Sequence, residues 1–297
     1  MADDIFNTER PLLFSIAYRM LGSASDAEDV LQDGWVRYSG VDPATIRSPR
    51  SFAITIVTRL CLDRLKSARA AREEYIGPWL PEPVLTSEID SPHDAAERAE
   101  SVTLAFLVLL ETLSPEERAV FVLKDVFGYE HNEIAAMLGM TSENSRQLLH
   151  RAKSRLASGR PRPAGSLEAR RAVAERFTRA FASGDGSALT ELLARDVGMW
   201  SDGGGKASAA RRPLLGKDPV LNFLVGLHRT AVRAGLTGQT SLQIEDVNSE
   251  PALIIRVNQR VESIFVLTVE DGLVTGIRVV RNPDKLARIA RHLATVH

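Results

Sequence analysis

Apolar residues recur at helical spacing along the first 75 residues of the chain. Leu13 and Ile16 belong to one stripe, and Ala27 and Leu31 belong to a second. Residues three or four positions apart lie on one face of an α-helix, so each stripe predicts an amphipathic helix with a buried side. The pattern therefore predicts a compact helical domain over residues 1–75.

A proline-rich segment interrupts this pattern after residue 75. Proline lacks a backbone donor and disfavours the helical conformation of the residue before it. The four prolines in the segment therefore predict an extended linker over residues 76–100. Helical spacing resumes at Val102, and Ser114 followed by Pro115 is typical of a cap and the first turn of a further helix. A second helical domain is expected over residues 101–158.

The segment EHNEIAAMLGMTSENSRQLLHRAKSRL, Glu130 to Leu156, predicts a helix-turn-helix. Gly139 stands where the turn favours positive φ, and Thr141 or Ser142 can cap the second helix. Ser145 departs from the pattern, because such motifs usually bury an apolar residue there. Three apolar residues are expected between the two helices: Ile134, Leu138 and Leu148.

The second helix of this motif carries side chains that can contact DNA. Arginine pairs bidentately with guanine and glutamine with adenine, while lysine and arginine neutralise phosphates. The alternative is a helical hairpin with a basic, solvated face. The candidate DNA-contacting residues are Asn144, Arg146, Gln147, His150, Arg151 and Lys153.

The character of the sequence changes after a second Gly- and Pro-rich connection at residues 159–165. A long amphipathic helix is predicted from Leu167 to Ala182. Segments rich in β-branched residues then predict strands, and Asp271-Gly272 predicts a hairpin turn between two of them. The predicted strands are Leu253–Val257, Ser263–Val269 and Val274–Val280. Residues 166–297 therefore form an α+β domain.

Composition adds three constraints. The 297 residues are 44% hydrophobic, a composition that suits several globular domains. The sequence shows no apolar run long enough to cross a bilayer, and its start does not resemble a signal peptide. A cytoplasmic protein is expected. The single cysteine, Cys61, predicts no disulfide and is read as a buried apolar filler, and no metal or cofactor is predicted. The net charge of −1 predicts weak unaided DNA binding, with a larger partner supplying further contacts.

The first domain offers two more surfaces. Asp26, Asp29 and Asp33 lie along one helical stripe, with Gln32, Trp35 and Arg37 beside it. This stripe suits a basic protein partner, although a solvated acidic face is the alternative. The following helix interleaves apolar residues with arginine and lysine, so one of its faces can pack while another meets nucleic acid.

Three segments together resemble the extracytoplasmic-function sigma factors of bacteria, which direct RNA polymerase to promoters. They are RPLLFSIAYRMLGSASDAEDVLQDGWVRY, SPRSFAITIVTRLCLDRLKSAR and LSPEERAVFVLKDVFGYEHNEIAAMLGMTSENSRQLLHRAKSRL. The resemblance implies that the acidic stripe binds core polymerase and that the helix-turn-helix reads the minus-thirty-five element. It also implies minus-ten contacts from Arg59, Asp63, Arg64, Lys66, Ser67, Arg69 and Arg72. Phe52-Ala53 departs from the pattern, since relatives often carry a larger aromatic followed by Leu.

Three short tags narrow the resemblance to sigma factors with a fused SnoaL-like domain. The tags are GPWLPEP at residues 77–83, DGGGK at residues 202–206 and NPDKL at residues 282–286. The implied fold is two all-α domains, the second with the helix-turn-helix, followed by an α+β SnoaL-like (NTF2-like) cone. The cone is implied to modulate sigma activity in cis through Trp79, Leu80, Pro81, Asp202, Gly203, Lys206, Asn282, Pro283, Asp284 and Lys285.

Two other hypotheses stay open from the residues. The cone could hold a small-molecule ligand, or act as an isomerase- or cyclase-type enzyme with an acid–base pair drawn from Asp202, His228 and Asp246. Scattered titratable residues without a motif make catalysis the weaker hypothesis. A two-domain repressor would leave the acidic stripe without a purpose.

Overall fold

The computed structural model describes residues 2–89, 101–157 and 165–295, without the side chains of residues 2–4, 68–73 and 295. The chain forms two compact units. The first comprises Met1–Glu74 and Ser87–Pro161, and the second comprises Tyr75–Thr86 and Arg162–His297. The linker predicted over residues 76–100 is thus divided, and its first part folds with the C-terminal unit. Most of the predicted connection at residues 159–165 lies outside the described residues.

The first unit is entirely helical where it is described. None of its helices, nor any other described helix, is long and apolar enough to cross a bilayer. In chain order the helices up to the second connection are α1 Ala2–Thr8, α2 Arg10–Leu21, α3 Ala24–Ser39, α4 Pro49–Glu73, α5 Thr86–Ile89, α6 Leu104–Leu110, α7 Pro115–Phe121, α8 His131–Leu138 and α9 Ser142–Leu156. A π-helical turn, Val122–Val126, extends α7. Ser114 caps α7 through a capping box, as Ser114-Pro115 predicted.

Helix α2 is buried on all sides from Leu13 to Leu21. An amphipathic helix normally leaves one face in water, so complete burial means that a second layer covers the outer face. Arg19, only 1% exposed, donates from Nε to the Ser101 hydroxyl at 2.9 Å, and its guanidinium lies 5.6 Å from the Phe127 ring centroid. Residues of the second helical domain therefore pack on the first. Cys61 is buried in this unit, and burial raises the pKa of its thiol.

Arg118 ties the two helical domains together from a buried position. Its side chain is 3% exposed, and Nη1 donates to the Met20 carbonyl at 2.8 Å and to Glu111 Oε1 at 2.7 Å. Nη2 donates to the Leu110 carbonyl at 2.6 Å. Both carbonyls lie in the last turns of helices, where backbone acceptors have no partner within the helix. Burial lowers the pKa of Arg118 to about 9, which still leaves the group charged near neutral pH.

The C-terminal unit packs helices against a six-stranded mixed sheet. Its helices are α10 Leu167–Ser183, α11 Gly186–Leu192, α12 Lys217–Arg233 and α13 Pro283–Thr295. Its strands are β1 Leu193–Asp202, β2 Leu214–Leu215, β3 Thr240–Val247, β4 Glu250–Val257, β5 Arg260–Glu270 and β6 Leu273–Val280. The strand order is β2-β1-β6-β5-β4-β3, and only β1 and β6 pair in parallel.

Two-residue turns join β3 to β6 in a meander. Asp271 and Gly272 have φ of 49° and 77°, which confirms the predicted turn. The core lies between the sheet and the helices, where Phe181 stands 6.3 Å from Phe177 and 5.8 Å from Phe265, measured between ring centroids. The three predicted strands and the long helix are present, together with β1, β2 and β3, which the alternation of apolar residues did not reveal.

We expect Arg118→Ala to lower the free energy of unfolding of the helical unit by about 3 kcal/mol, because it removes the buried donor that bonds to Glu111 and to the Met20 and Leu110 carbonyls. Arg146→Ala is the matched control. Its 3.5 Å pair with Glu143 is exposed on both sides, so a loss within about 0.5 kcal/mol is expected. Urea denaturation of the full chain measures both. Equal losses of unfolding free energy for the two variants would contradict the stabilising role of Arg118 between the two helical domains.

Candidate promoter, polymerase and linker surfaces

The helix-turn-helix is formed by α8 and α9. Gly139 ends α8 with φ of 70°, and the Thr141 hydroxyl caps α9 by accepting from the Asn144 amide at 3.1 Å. Of the two capping residues considered from the sequence, Thr141 provides the cap. Ile134 is fully buried as predicted, whereas Leu138 is only half-buried and its neighbour Met137 is buried instead. The register of α8 thus places Met137 on the packed face.

A polar pair replaces the usual apolar contact between the two helices. Ser145 is fully buried, and its hydroxyl lies 2.9 Å from Nδ1 of His131. Burial, with the nearby charges of Lys124 and Arg146, lowers the pKa of His131 and favours the neutral ring. The buried hydroxyl therefore has a partner, which explains how a serine is tolerated at this position.

The predicted DNA-contacting residues share the solvent side of α9. All six are exposed, while Ala152 and Leu156 mark the opposite, buried side. Several already have weak partners on the surface. Lys153 pairs with Asp125 at 2.5 Å, and Gln147 Nε2 lies 3.5 Å from Glu143 Oε1. The arrangement leaves an exposed helix face that can enter a major groove. The six residues are Asn144, Arg146, Gln147, His150, Arg151 and Lys153.

The acidic stripe on α3 faces solvent but has an internal partner. Arg64 of α4 donates from Nη1 to Asp26 at 3.0 Å and to Asp29 at 3.2 Å, and its Nη2 lies 3.7 Å from Asp33. These carboxylates raise the pKa of Arg64 although burial acts against them. The carboxylates are 52–59% exposed and Arg64 is 32% exposed, so the acidic groups lie outermost. Gln32, Trp35 and Arg37 are exposed beside them.

The basic residues of α4 are less free than the sequence implied. Arg64 faces α3, and Arg59 donates from Nε to the Met137 carbonyl at 2.9 Å, near the end of α8. Lys66 lies 3.3 Å from Glu116. Asp63 and Ser67 are exposed, and the side chains of Arg69 and Arg72 lie outside the described residues. The sequence did signal the position of Arg64, because it continues the stripe of buried Val57 and Cys61 at helical spacing.

The three tags of the C-terminal unit meet at one buried carboxylate. Asp202, at the end of β1, is fully buried. Its Oδ1 accepts from the Tyr75 hydroxyl at 2.6 Å, and its Oδ2 accepts from the Leu80 amide at 2.8 Å and from Lys285 Nζ at 2.7 Å. Burial and the bond to Asp202 raise the pKa of Tyr75, so its hydroxyl stays protonated and donates. Asp202 thereby fastens the start of the linker to the sheet.

Lys285 completes this contact with the linker. Its ammonium donates to the Leu80 carbonyl and lies 4.5 Å from the ring centroid of Trp79 and 4.9 Å from that of Tyr75. A cation over two aromatic faces adds attraction to the ion pair with Asp202. Trp79 is half-buried and Pro81 is buried. In the folded chain the linker thus starts at Tyr75, where the C-terminal unit begins. Tyr75, Trp79 and Leu80 surround a single ammonium group.

The DGGGK and NPDKL tags shape the same contact. A Cβ on Gly204 would lie 2.3 Å from Asn282 Nδ2, and one on Gly205 would lie 2.9 Å from the Ile76 side chain. Asn282 donates to the Tyr75 hydroxyl at 3.0 Å and caps α13 by accepting from the Asp284 amide at 3.1 Å. Both glycines have positive φ, and a side chain would clash with Asn282 at Gly204 and with the linker residue Ile76 at Gly205.

The remaining tag residues hold this loop and helix in place. Gly203 accepts at its carbonyl from the amides of Lys206 and Ala207. Pro283 is the first residue of α13, a position that needs no backbone donor. Lys206 forms an ion pair with Asp284 on the surface.

The structure does not bring the three candidate acid–base residues together. Both oxygens of Asp202 are occupied by the linker and Lys285. Asp246 lies on the edge strand β3, separated from β1 by three strands, and pairs with Arg171 at 3.2 Å. His228 of α12 packs on Gly184, where a Cβ would lie 2.4 Å from its ring. An acid–base pair from these residues has no support in the geometry.

Sequence reasoning missed two linker contacts. Tyr75 lies just before the GPWLPEP tag, and its place at the Asp202 carboxylate follows only from the folded chain. Asn248, in the turn between β3 and β4, is fully buried and bonds to Val84 of the linker. A consecutive Asn-Ser between strand patterns predicts a turn but gives no sign of what the turn contacts.

Comparison with known proteins gives matches to each helical domain and to relatives that cover about 95% of the chain. The family described as Sigma-70 region 2 matches residues 5–71, and that described as Sigma-70, region 4 matches residues 103–156. The ECF RNA polymerase sigma factor SigJ of Mycobacterium tuberculosis is 36% identical over 94% of this chain and 91% of its own. The probable ECF RNA polymerase sigma factor SigI of the same species is 31% identical over 95% of this chain and 93% of its own.

A solved structure extends the likeness to the fold. The crystal structure of Mycobacterium tuberculosis extracytoplasmic function sigma factor SigJ superposes with a TM-score of 0.73 and 33% identity, covering 95% of this chain and 97% of that one. The likeness includes the C-terminal α+β unit, in agreement with the predicted three-part fold. The chain belongs to the extracytoplasmic-function sigma factors, which direct RNA polymerase in transcription initiation.

Proposed function

We propose that this sigma factor acts in the cytoplasm and binds core polymerase through the acidic face of α3. It contacts promoters through α4 and α9, and the C-terminal unit controls it in cis by holding the linker. The proposed control in cis rests on the buried Asp202 carboxylate, which accepts hydrogen bonds from Tyr75 and Leu80 of the linker. A held linker constrains the two domains that it joins.

The close packing of the two helical domains supports the proposal that this factor is controlled by how far the domains can separate. The minus-ten and minus-thirty-five elements are about 25 base pairs apart, or roughly 85 Å along B-DNA at 3.4 Å per base pair. In the free chain, Arg59 on the proposed minus-ten surface bonds directly to Met137 of the helix-turn-helix. The two surfaces must therefore separate before both elements can be contacted together.

The linker limits this separation. A chain segment can span only about 3.3–3.6 Å per residue, and residues fastened elsewhere are not available to extend. Tyr75 and Leu80 are fastened to Asp202 in the free chain. Releasing them lengthens the free linker, so we infer that the C-terminal unit restrains opening and that its release activates the factor.

A regulatory role fits the C-terminal unit better than catalysis. Both oxygens of Asp202, one of the candidate acid–base residues, already accept hydrogen bonds from the protein itself. One cavity in this unit, beside Arg170 and Gly272, has a volume of about 130 Å³. Ligand pockets are usually about 300–1,000 Å³, so a small-molecule ligand stays the second candidate.

We expect Asp29→Asn combined with Asp33→Asn to weaken binding to purified core polymerase by about 1 kcal/mol at low salt, since exposed charge pairs contribute little individually. The difference should shrink as salt is raised. Asp63→Asn removes an exposed carboxylate of α4 that is not one of the three stripe residues, and serves as the control. Fluorescence anisotropy measures the affinity of each protein for core polymerase. Equal affinity for the unmodified chain, the double variant and Asp63→Asn would count against the α3 surface.

For α9, we expect Gln147→Ala to cost about 1–3 kcal/mol on promoters where this side chain reads a base and to change the ranking of promoters. Lys153→Ala should instead weaken all promoters about equally, because a phosphate contact carries no sequence information. Transcription with core enzyme across a promoter panel measures both. A uniform loss with Gln147→Ala would argue against base reading by this residue.

For the linker, Asp202→Asn should raise transcription by the full chain several-fold. The substitution keeps the shape of the side chain but removes the charge that holds Lys285, Leu80 and Tyr75. Asp271→Asn, in the exposed turn between β5 and β6, is the control and should leave transcription unchanged. Unchanged or lower activity with Asp202→Asn, in a protein that melts normally, contradicts the proposed restraint.

A further inference from the structure

The turn between β3 and β4 makes a second, separate contact with the linker. The Asn248 side-chain oxygen accepts from the Val84 amide at 3.0 Å, and the Asn248 amide donates to the Val84 carbonyl at 3.0 Å. One residue further along the linker, Leu85 forms an antiparallel bridge with Val247. The Ser249 amide then donates to the Thr86 hydroxyl at 2.9 Å. The turn and the last residue of β3 therefore contact three consecutive linker residues, Val84, Leu85 and Thr86.

This contact lies at the far side of the sheet from Asp202. Strands β6, β5 and β4 separate β1, which carries Asp202, from β3, which precedes Asn248. The linker crosses this distance between Leu80 and Val84, and every residue from Leu80 to Leu85 is buried. Because Pro81 and Pro83 have no N–H, few linker amides can donate here, and those of Leu80 and Val84 are both used.

The turn adopts a backbone conformation that its residues do not favour. Asn248 and Ser249 have φ of 53° and 60°, and they close a two-residue turn in which Val247 pairs with Glu250. Positive φ at both positions is most easily adopted by glycine, and a serine there is strained. The linker contacts, made by both backbone amides and by the Asn248 side chain, offset this strain.

The next hairpin offers a matched comparison. Asn258 and Gln259 have φ of 51° and 65° and close the turn between β4 and β5 in the same way. Both are exposed, and the Asn258 amide donates to the Gln239 carbonyl rather than to the linker. Asn248 is instead fully buried, so burial and linker contact distinguish two turns of similar backbone.

We propose that the Asn248–Ser249 turn is a latch for linker residues Val84–Thr86, and that it restrains the linker independently of the Asp202 anchor. The latch recognises an extended segment by backbone hydrogen bonds, as a sheet edge recognises an added strand. This inference rests on the proposed function, since a latch regulates the factor only if the held linker restrains it. Each contact adds to the restraint, so the loss of either one weakens it.

Hydrogen exchange of the full chain tests the latch directly. Asn248→Gly keeps the turn backbone allowed but removes the oxygen that accepts from Val84, so the Val84 amide should exchange at least tenfold faster. The Leu80 amide, held by Asp202, should change much less. Asn258→Gly makes the same change in the comparison turn and should leave Val84 unchanged. Equal exchange at Val84 in the two variants, or equal acceleration at Leu80 and Val84, overturns independent latching.

Thr86→Val provides a second route to the same test from the linker side. It removes the hydroxyl that accepts from Ser249 while nearly preserving shape, and it should speed exchange of the Ser249 amide; no change there overturns the latch.

Transcription separates the two proposals. Asn248→Gly should raise transcription as Asp202→Asn does, whereas Asn258→Gly should not. If Asn248→Gly speeds exchange at Val84 but only Asp202→Asn raises transcription, the latch has no regulatory role. No rise for either variant overturns the proposed function instead.

Discussion

The buried carboxylate of Asp202 is the constraint on which the arrangement of the C-terminal unit depends. Removing a carboxylate from water costs several kcal/mol unless donors replace its hydration. Here the donors come from separate segments, with Tyr75 and Leu80 in the linker and Lys285 in α13. If the linker left, Asp202 would keep Lys285 but lose two of its three bonds. The linker is thus part of the fold of this unit, and its detachment has a defined energetic cost.

In the helical unit, residues that we propose to contact nucleic acid or polymerase also form bonds within the protein. Arg59 bonds to the end of α8, and Arg64 lies among the three carboxylates of α3. Exposed pairs of this kind are weak and exchangeable, whereas the buried Arg118 contacts are not. Separation of the two helical domains would therefore have to overcome mainly the hydrogen bonds of Arg118 and the apolar burial of α2. A net charge of −1 fits a protein whose cations are partly neutralised until a partner replaces their contacts.

The sequence predicted those features that depend on local chemistry. Gly139 and Thr141 ended and started their helices as expected, because caps and turns involve residues only a few positions apart. The partners of Arg64 and Asn248 were not predictable, since 38 and 164 residues separate the bonded groups. Strand β1 escaped detection for another reason. Asp196 and Gly198 disturb its alternation, and its parallel pairing with β6 is specified only by the assembled sheet.

We propose that the C-terminal unit restrains a competent sigma factor through the linker. The most direct measurement is in vitro transcription with purified core polymerase at saturating factor, comparing the full chain with a chain that ends at Gly165. We expect higher transcription from the same promoters by the shortened chain, because its linker has lost both attachment points. Equal transcription by the two proteins across a promoter panel would contradict it.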